Sequence, residues 1–476
     1  MSRACGASPA ARAAFLGGAL ALAAALNACA HPAPYTTPSA PTASSFKENA
    51  EWKLAQPGDQ AARGDWWAIF GDAQLDALQH QIDVSNQTLK AAEARFAEAR
   101  AAVRGARASL YPQVTVAPAI TVAQPSGNRA TTTFHDAYTD ILLPGDVSYE
   151  VDVWGRIHSA VSASQAAAQA SAADVETARL SLHAELALDY FTLQGLGREK
   201  ALLDQAVASY EQALALTQNR FQGGISSQAD VAFAETQLET TRAQAKDVEV
   251  VRAALEHAIA VLVGQPASAF SLTVPLDMTT PPAIPPEMPS ALLERRPDIA
   301  AAERRVAEAN AQVGVATAAF YPTVFLSGVA GFESSSIGRL LTGASSLWAV
   351  GPSAVINIFD AGRRRAVSDQ ARAVYDQATA SYREAVLSAF RDVEDQLSAL
   401  RVLDEEAQIQ DRATSAAERS LTLATNRYRG GIVSYLDVIT AQNAALANER
   451  AAVSLLLRRI SASVLLLKSL GGGWTH

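Results

Sequence analysis

Arg220-Phe221-Gln222-Gly223-Gly224-Ile225-Ser226-Ser227-Gln228-Ala229-Asp230-Val231 and Arg427-Tyr428-Arg429-Gly430-Gly431-Ile432-Val433-Ser434-Tyr435-Leu436-Asp437-Val438 are one passage written twice. Arg, an aromatic, Gly-Gly-Ile and Asp-Val recur in the same order 207 residues apart, which marks an internal duplication. Long Ala-rich sequence with few prolines flanks each copy, so each Gly-Gly pair is the only local helix stop for dozens of residues. Such a stop predicts a tight turn between two antiparallel helices.

The duplication extends beyond the turns. Leu89 to Ala99 with Leu110-Tyr111-Pro112 matches Ile299 to Ala309 with Phe320-Tyr321-Pro322, at an offset of 210, so the copies differ by a small insertion. Helical periodicity predicts one helix from Ala73 to Ser109, ended by Pro112, and a second-copy helix opened by Pro297 and Asp298. Two long rods, Gly155 to Phe221 and Gly362 to Arg429, return as Gln228 to Gly264 and Ser434 to Leu470. The first rod is about 100 Å long at ~1.5 Å per residue. Gly195 and Gly197 within it read as a mild local weakness. Trp66 and Trp67 read as packing that pins the start of the first helix.

Between helices the period changes. Val147, Tyr149, Val151 and Val153 alternate with Ser148, Glu150 and Asp152, and Ile356 and Ile358 flank Asn357, which puts apolar groups on one face and polar groups on the other. Strand pairs are expected at Gln113–Gln124 with Ile141–Val153, and at Thr323–Phe332 with Leu347–Phe359, joined by polar loops. Their lengths suit membrane-spanning β-strands, which need about 9 to 11 residues; the alternative that periodicity leaves open is a soluble hairpin packed on a helix. Four strands cannot close a barrel, so in a membrane several chains must share one.

Arg3 and Arg12 precede an apolar run from Ala13 to Leu26 and then Asn27-Ala28-Cys29, the layout of a secretory signal. The run is shorter than the roughly 20 residues of a membrane helix. Cys29 resembles the acylated cysteine of bacterial lipoproteins; the alternative is an ordinary cleavage site with a coincidental cysteine. Cys5 lies in the leader, so one thiol position remains, which excludes an intrachain disulfide or a multi-cysteine metal site. The expected organisation is a signal peptide at 1–28, a lipidated tether at 29–64, a first repeat at 65–265, a proline-rich connector at 266–290, a second repeat at 291–470 and a tail at 471–476.

The formal charge of -9 and the lack of a basic cluster give no support to nucleic-acid binding. No phosphate loop, His-Glu-x-x-His or Gly-x-Ser-x-Gly is present, and the seven histidines are scattered, so no enzyme, metal site or cofactor beyond a lipid on Cys29 is expected. His183 and His257 read as packing or surface groups.

The leader ending at Cys29, Asp152-Val153-Trp154-Gly155-Arg156, Leu293-Glu294-Arg295-Arg296-Pro297-Asp298-Ile299, Phe320-Tyr321-Pro322, Phe359-Asp360-Ala361-Gly362-Arg363 and the two Gly-Gly-Ile turns span nearly the whole chain. Together they resemble the TolC-like outer-membrane factors, in the NodT or OprM lipoprotein branch that serves resistance-nodulation-division (RND) efflux pumps. The resemblance implies a mixed α and β membrane protein: a trimer whose chains each give four strands to a 12-stranded transmembrane β-barrel, continuous with a periplasmic α-helical barrel of 12 helices. It also implies a passive exit duct in the outer membrane, a periplasmic adaptor and an inner-membrane RND pump as partners. The runner-up is the exit duct of a type I protein-secretion system.

On this reading Glu150, Asp152 and Asn357 face the barrel lumen. The tips Gly223, Gly224, Ile225, Gly430, Gly431 and Ile432 dock the adaptor. Asp437 and Asp230, with Tyr435 and Leu436, form the periplasmic gate; the plainer reading makes the two acids helix-start or surface groups. Thr440 stands where family members often carry a second acid and Val433 where some carry an Arg, so two members of the family's full ion-pair lock are missing here.

Overall fold

The computed structural model describes residues 35–40, 64–128, 136–278, 282 and 296–472. The signal segment with Cys29, most of the tether, the loop tip at 129–135, residues 279–281 and 283–295 of the connector and the start of the second repeat, and residues 473–476 lie outside the described residues. In chain order the elements are α1 (Ala73–Ser85), α2 (Gln87–Ala108), β1 (Gln113–Val116), β2 (Ala119–Ala123), β3 (Tyr138–Val151), α3 (Arg156–Gln222) and α4 (Gln228–Leu262). After the connector come α5 (Pro297–Ala318), β4 (Thr323–Ser334), β5 (Ser346–Val355), α6 (Arg363–Arg429) and α7 (Tyr435–Ser469).

The duplication is preserved in element lengths. α2 and α5 have 22 residues each, α3 and α6 have 67, and α4 and α7 have 35. The first pair is offset by 210 and the others by 207, which places the three extra residues of copy one between α2 and α3, in its strand pair. The two compact units do not follow the repeats: each draws on both.

One unit holds Phe96–Ser171 and Ala302–Tyr382 and contains the sheet. β1 and β2 lie along one side of β3 (Gln113↔Ser148 to Val116↔Gly145, then Ala119↔Leu142 to Ala123↔Tyr138). The expected single strand is interrupted at Pro118, which has no N–H to give the ladder. β3 pairs β4 over eleven residues, Ile141↔Ser334 to Val151↔Val324, and β4 pairs β5 from Thr323↔Val355 to Phe332↔Ser346. All pairings are antiparallel, leaving the β1/β2 line and β5 as the two edges.

Opposed residues share a face. One face carries Val114, Val147, Leu326 and Pro352 across the four lines, and the other Gln113, Ser148, Ser327 and Gly351. Apolar side chains on the edge lines are bare, with Val114 67%, Val122 72%, Trp348 77% and Val350 68% exposed.

Two strand boundaries differ from expectation. β3 ends at Val151 and β5 at Val355, so Asp152, Val153, Ile356, Asn357 and Ile358 are not strand residues. The alternation around Asn357 is therefore a turn's composition, and Asn357 holds no lumen-facing ladder position. Trp154 closes the corner instead: its indole N–H donates to Pro322 O (2.7 Å) and its ring stacks on Tyr321 at 4.6 Å. The Tyr-Pro corner of copy two thus seats the strand-to-helix turn of copy one.

The other unit holds Ala40–Arg95, Ala172–Ala301 and Arg383–His476. The helix expected from Ala73 to Ser109 is broken at Asn86, whose side-chain oxygen accepts from Leu89 N–H (2.9 Å) while its amide donates to Leu262 O (2.7 Å). One buried residue caps α2 and also satisfies a carbonyl at the end of α4. Trp66, Trp67 and Phe70 are buried; Trp67 donates to Asp76 (2.9 Å) and stacks on His183 at 4.5 Å. His183 is a packing residue, held by Gln79 at 2.6 Å.

The helices touch through small cores such as Leu203, Ala245, Val248 and Leu446, and Leu403, Leu455 and Ala462. Gly195 is no weakness: a Cβ there would overlap the Leu457 side chain, so its missing side chain lets α7 approach α3. Arg296 is 9% exposed and donates to Asp298 (2.7 and 3.1 Å), Asp392 (3.4 Å) and Ser469 O (3.1 Å). The Arg-Pro-Asp stretch thereby fastens the start of α5 to α6 and α7.

Candidate functional site

The turn between α3 and α4 is built by its backbone. Gly223 N–H donates to Asn219 O (3.0 Å), Gly224 N–H to Phe221 O (2.9 Å) and Ile225 N–H to Arg220 O (2.8 Å), so the last carbonyls of α3 are satisfied locally. The second turn repeats this with Gly430, Gly431 and Ile432 donating to Asn426, Tyr428 and Arg427 oxygens at 3.0, 2.9 and 2.9 Å. Only the second glycine of each pair is conformationally required: φ is +73° at Gly224 and +74° at Gly431. Ile225 and Ile432 are 76% and 70% exposed, an unusual place for two large apolar side chains.

The acids just beyond the turns are capping groups. Asp230 is the third residue of a capping box with Ser227, accepting from its N–H (2.9 Å) and hydroxyl (2.8 Å). Asp437 does the same for Ser434, at 3.1 and 2.7 Å. A carboxylate in this position also meets the positive end of the helix dipole. Asp437 and Leu436 are exposed.

Tyr435 is placed differently from expectation. It is 2% exposed and packs with Ala234, Tyr428 and Val438, its ring 5.3 Å from that of Tyr428. Burial, then Tyr428 and Tyr210, push its phenol up to about 12, so it is neutral. It is a core residue of the tip and presents nothing to a passage. Thr440 donates to Leu436 O (2.9 Å), and Val433 packs against the Tyr435 cluster.

Arg220 was not singled out by the sequence reading, yet it joins the two turns. Its guanidinium donates to Tyr428 O (3.0 Å) and Arg429 O (3.1 Å) and lies over the Tyr428 ring at 4.4 Å. It caps the carbonyl end of α6 with a positive charge. The recurring Asn-Arg-aromatic triplet was the available signal.

At the sheet, Glu150 is engaged by Arg156 through two bonds of 2.7 Å. Asp152 lies beyond the strand and caps α3, accepting from Ile157 N–H (3.0 Å), His158 N–H (2.8 Å) and the His158 ring (2.6 Å). Its carboxylate is therefore part of the strand-to-helix corner. The polar sheet face is carried by Gln113, Thr115, Asp146, Ser148, Ser327 and Ser353.

The sequence profile of the outer membrane efflux protein family matches residues 78–265 and 288–472. The outer membrane protein OprJ of Pseudomonas aeruginosa is 32% identical over 465 residues, covering 96% of this chain and 95% of OprJ. The toluene efflux pump outer membrane protein TtgC of Pseudomonas putida is 30% identical over 454 residues, covering 94% and 93%. The solved structure of the outer-membrane channel OprN superposes with a TM-score of 0.84 at 31% identity, over 94% of this chain and all of the other. The open state of the Neisseria gonorrhoeae MtrE outer membrane channel gives 0.79 at 27% identity, over 94% and 98%.

Proposed function

This chain belongs to the outer membrane efflux protein family and acts as an outer-membrane efflux channel, and from that premise we propose that three copies close one 12-stranded barrel and one helical conduit. The observation that supports this is the sheet: both of its edges, the β1/β2 line and β5, lack ladder partners among the described residues, and one face of those edges is bare and apolar. Open edges are not tolerated in lipid, so neighbouring copies must supply the missing ladders. The polar face then lines the lumen, with Glu150 at its inner margin held in place by Arg156.

The duct opens to a periplasmic adaptor and an inner-membrane RND pump. The adaptor meets the tips at Gly223, Gly224 and Ile225 and at Gly430, Gly431 and Ile432, where exposed apolar side chains sit beside bare backbone. The names of the relatives as efflux components favour this partnership over a type I protein-secretion duct. The conduit does no bond chemistry, and Cys29 carries its lipid anchor.

Asp437, assisted by Leu436 and by Asp230 one hairpin away, narrows the entrance. Carboxylates brought to about 6 Å in a ring repel by roughly 2 to 3 kcal/mol at an effective dielectric near 20, which draws cations to the constriction. Asp437→Asn and Asp437→Ala separate this from capping, because the amide retains an acceptor oxygen for Ser434. Single-channel recording in planar bilayers should show both variants losing cation preference. An unaltered current in the amide variant removes Asp437 from the gate, and a monomeric mass in detergent removes the trimer.

A further inference from the structure

The contact that Arg220 makes is present once among the described residues, yet the sequence holds the parts for it twice. Arg427 stands where Arg220 stands in the first copy, and Phe221 where Tyr428 stands in the second. Tyr428 is covered, 6% exposed, with Arg220 on its ring and on its carbonyl. Its counterpart Phe221 is 44% exposed, and the position matching Tyr435 is Gln228.

The oxygens match as well. Tyr428 O accepts the turn's Gly431 N–H (2.9 Å) and then Arg220, whereas Phe221 O accepts Gly224 N–H (2.9 Å) and meets no second donor among the described residues. Arg427 is exposed, and its guanidinium meets no acceptor among the described residues.

We infer that Arg427 makes the same clamp on a second copy of this chain, donating to the carbonyls of Phe221 and Gln222 of the partner subunit and lying over that Phe221 ring. This rests on the three-copy reading. Around such a ring first and second tips alternate, so each second tip faces a neighbour's first tip. Equal hairpins, 67 and 35 residues in both copies, bring the tips to one level. The planar fork of Arg suits two adjacent carbonyls and an aromatic face together, which a lysine could not reproduce. One device, used within the chain by Arg220 and between chains by Arg427, joins all six tips.

The test uses the full chain carrying Arg427→Cys and Phe221→Cys, purified in detergent and treated with a short bis-maleimide. Each single variant serves as control, and light scattering gives the oligomer mass. Covalent dimers and trimers on a denaturing gel, absent from both controls, are the expected result. A trimeric mass with no covalent ladder overturns the clamp while leaving the trimer standing, and assigns these side chains to another occupant such as the adaptor. A monomeric mass overturns the trimer reading itself, and the clamp with it.

Discussion

Placing arginine at Val147 or at its neighbour Ser148 tests which face of the sheet meets lipid. The two residues are adjacent in β3 and point to opposite faces: Val147 pairs with Val114 and Gly328, and Ser148 with Gln113 and Ser327. β3 has 14 residues; at about 3.4 Å per residue and a tilt near 40°, such a strand rises about 36 Å, enough to cross an apolar band of about 25 Å. Val147 lies within three residues of the strand's centre, about 7 Å from mid-height. Arginine on the lipid face costs about 2 to 4 kcal/mol at the midplane and falls toward zero at the interfaces, so Val147→Arg should cost about 2 kcal/mol per chain. That is roughly a 30-fold shift against insertion for each subunit, compounded in a trimer. Ser148→Arg, facing water, should cost little. The assay is the heat-modifiable trimer recovered from outer-membrane fractions and from lipid vesicles. Equal losses in the two variants, or a greater loss in Ser148→Arg, would refute the assignment of faces.

Other perturbations follow from the same geometry. Gly431→Val forces a branched residue to a φ of +74° and should lower thermal stability of the tip by about 1 to 2 kcal/mol. Gly430→Ala, whose Cβ would lie 3.5 Å from Asn426 O, should be nearly neutral in the same calorimetric scan. Arg296→Ala removes the cation beside Asp298 and leaves Asp392 with Arg391, and because both carboxylates are over a third exposed it should cost about 1 to 3 kcal/mol, with Arg296→Lys recovering only part, read from thermal unfolding and folded yield. Burial, reinforced by Glu185, raises the Asp189 carboxyl from 3.8 to about 6. The folded state then holds this proton more tightly than the unfolded state does. Its contribution is most favourable in acid and is lost as pH rises toward about 6. Asp189→Asn should remove that component of the stability–pH curve and stabilise the protein at neutral pH, measured by denaturant unfolding across the range.

Helices, turns and duplication were legible because they depend on local signals: the 3.6 period, Gly-Gly stops and the repeated Arg-aromatic-Gly-Gly-Ile spacing. The sheet was legible as to its existence and its faces, since alternation survives without tertiary context. Its ends were not. Val153, Ile356 and Ile358 continue the apolar alternation, but ladder partners run out at Val151 and Val355, and Asp152 turns to cap α3. The break at Asn86 escaped for a similar reason: the group that stabilises it, Leu262 O, is 176 residues away. At the tips the capping role of Asp230 and Asp437 follows from Ser-x-x-Asp spacing alone, whereas the burial of Tyr435 depends on Tyr428 and Ala234, which no local pattern brings together.

The matched helix lengths restrict how such a chain can change. Removing one residue from the middle of α3 would turn everything beyond it by about 100° and shorten the hairpin by about 1.5 Å, so its side chains would face the wrong neighbours and its tip would no longer sit beside that of α6. A seven-residue excision turns the far end by only about 20° from alignment, but the tip stays short unless α4 loses a matching length and α6 and α7 do likewise. Length variation in the shafts should therefore occur as fourfold, heptad-sized edits, while the loops joining β2 to β3 and β4 to β5 can grow or shrink singly, as the three surplus residues in the first strand pair already have.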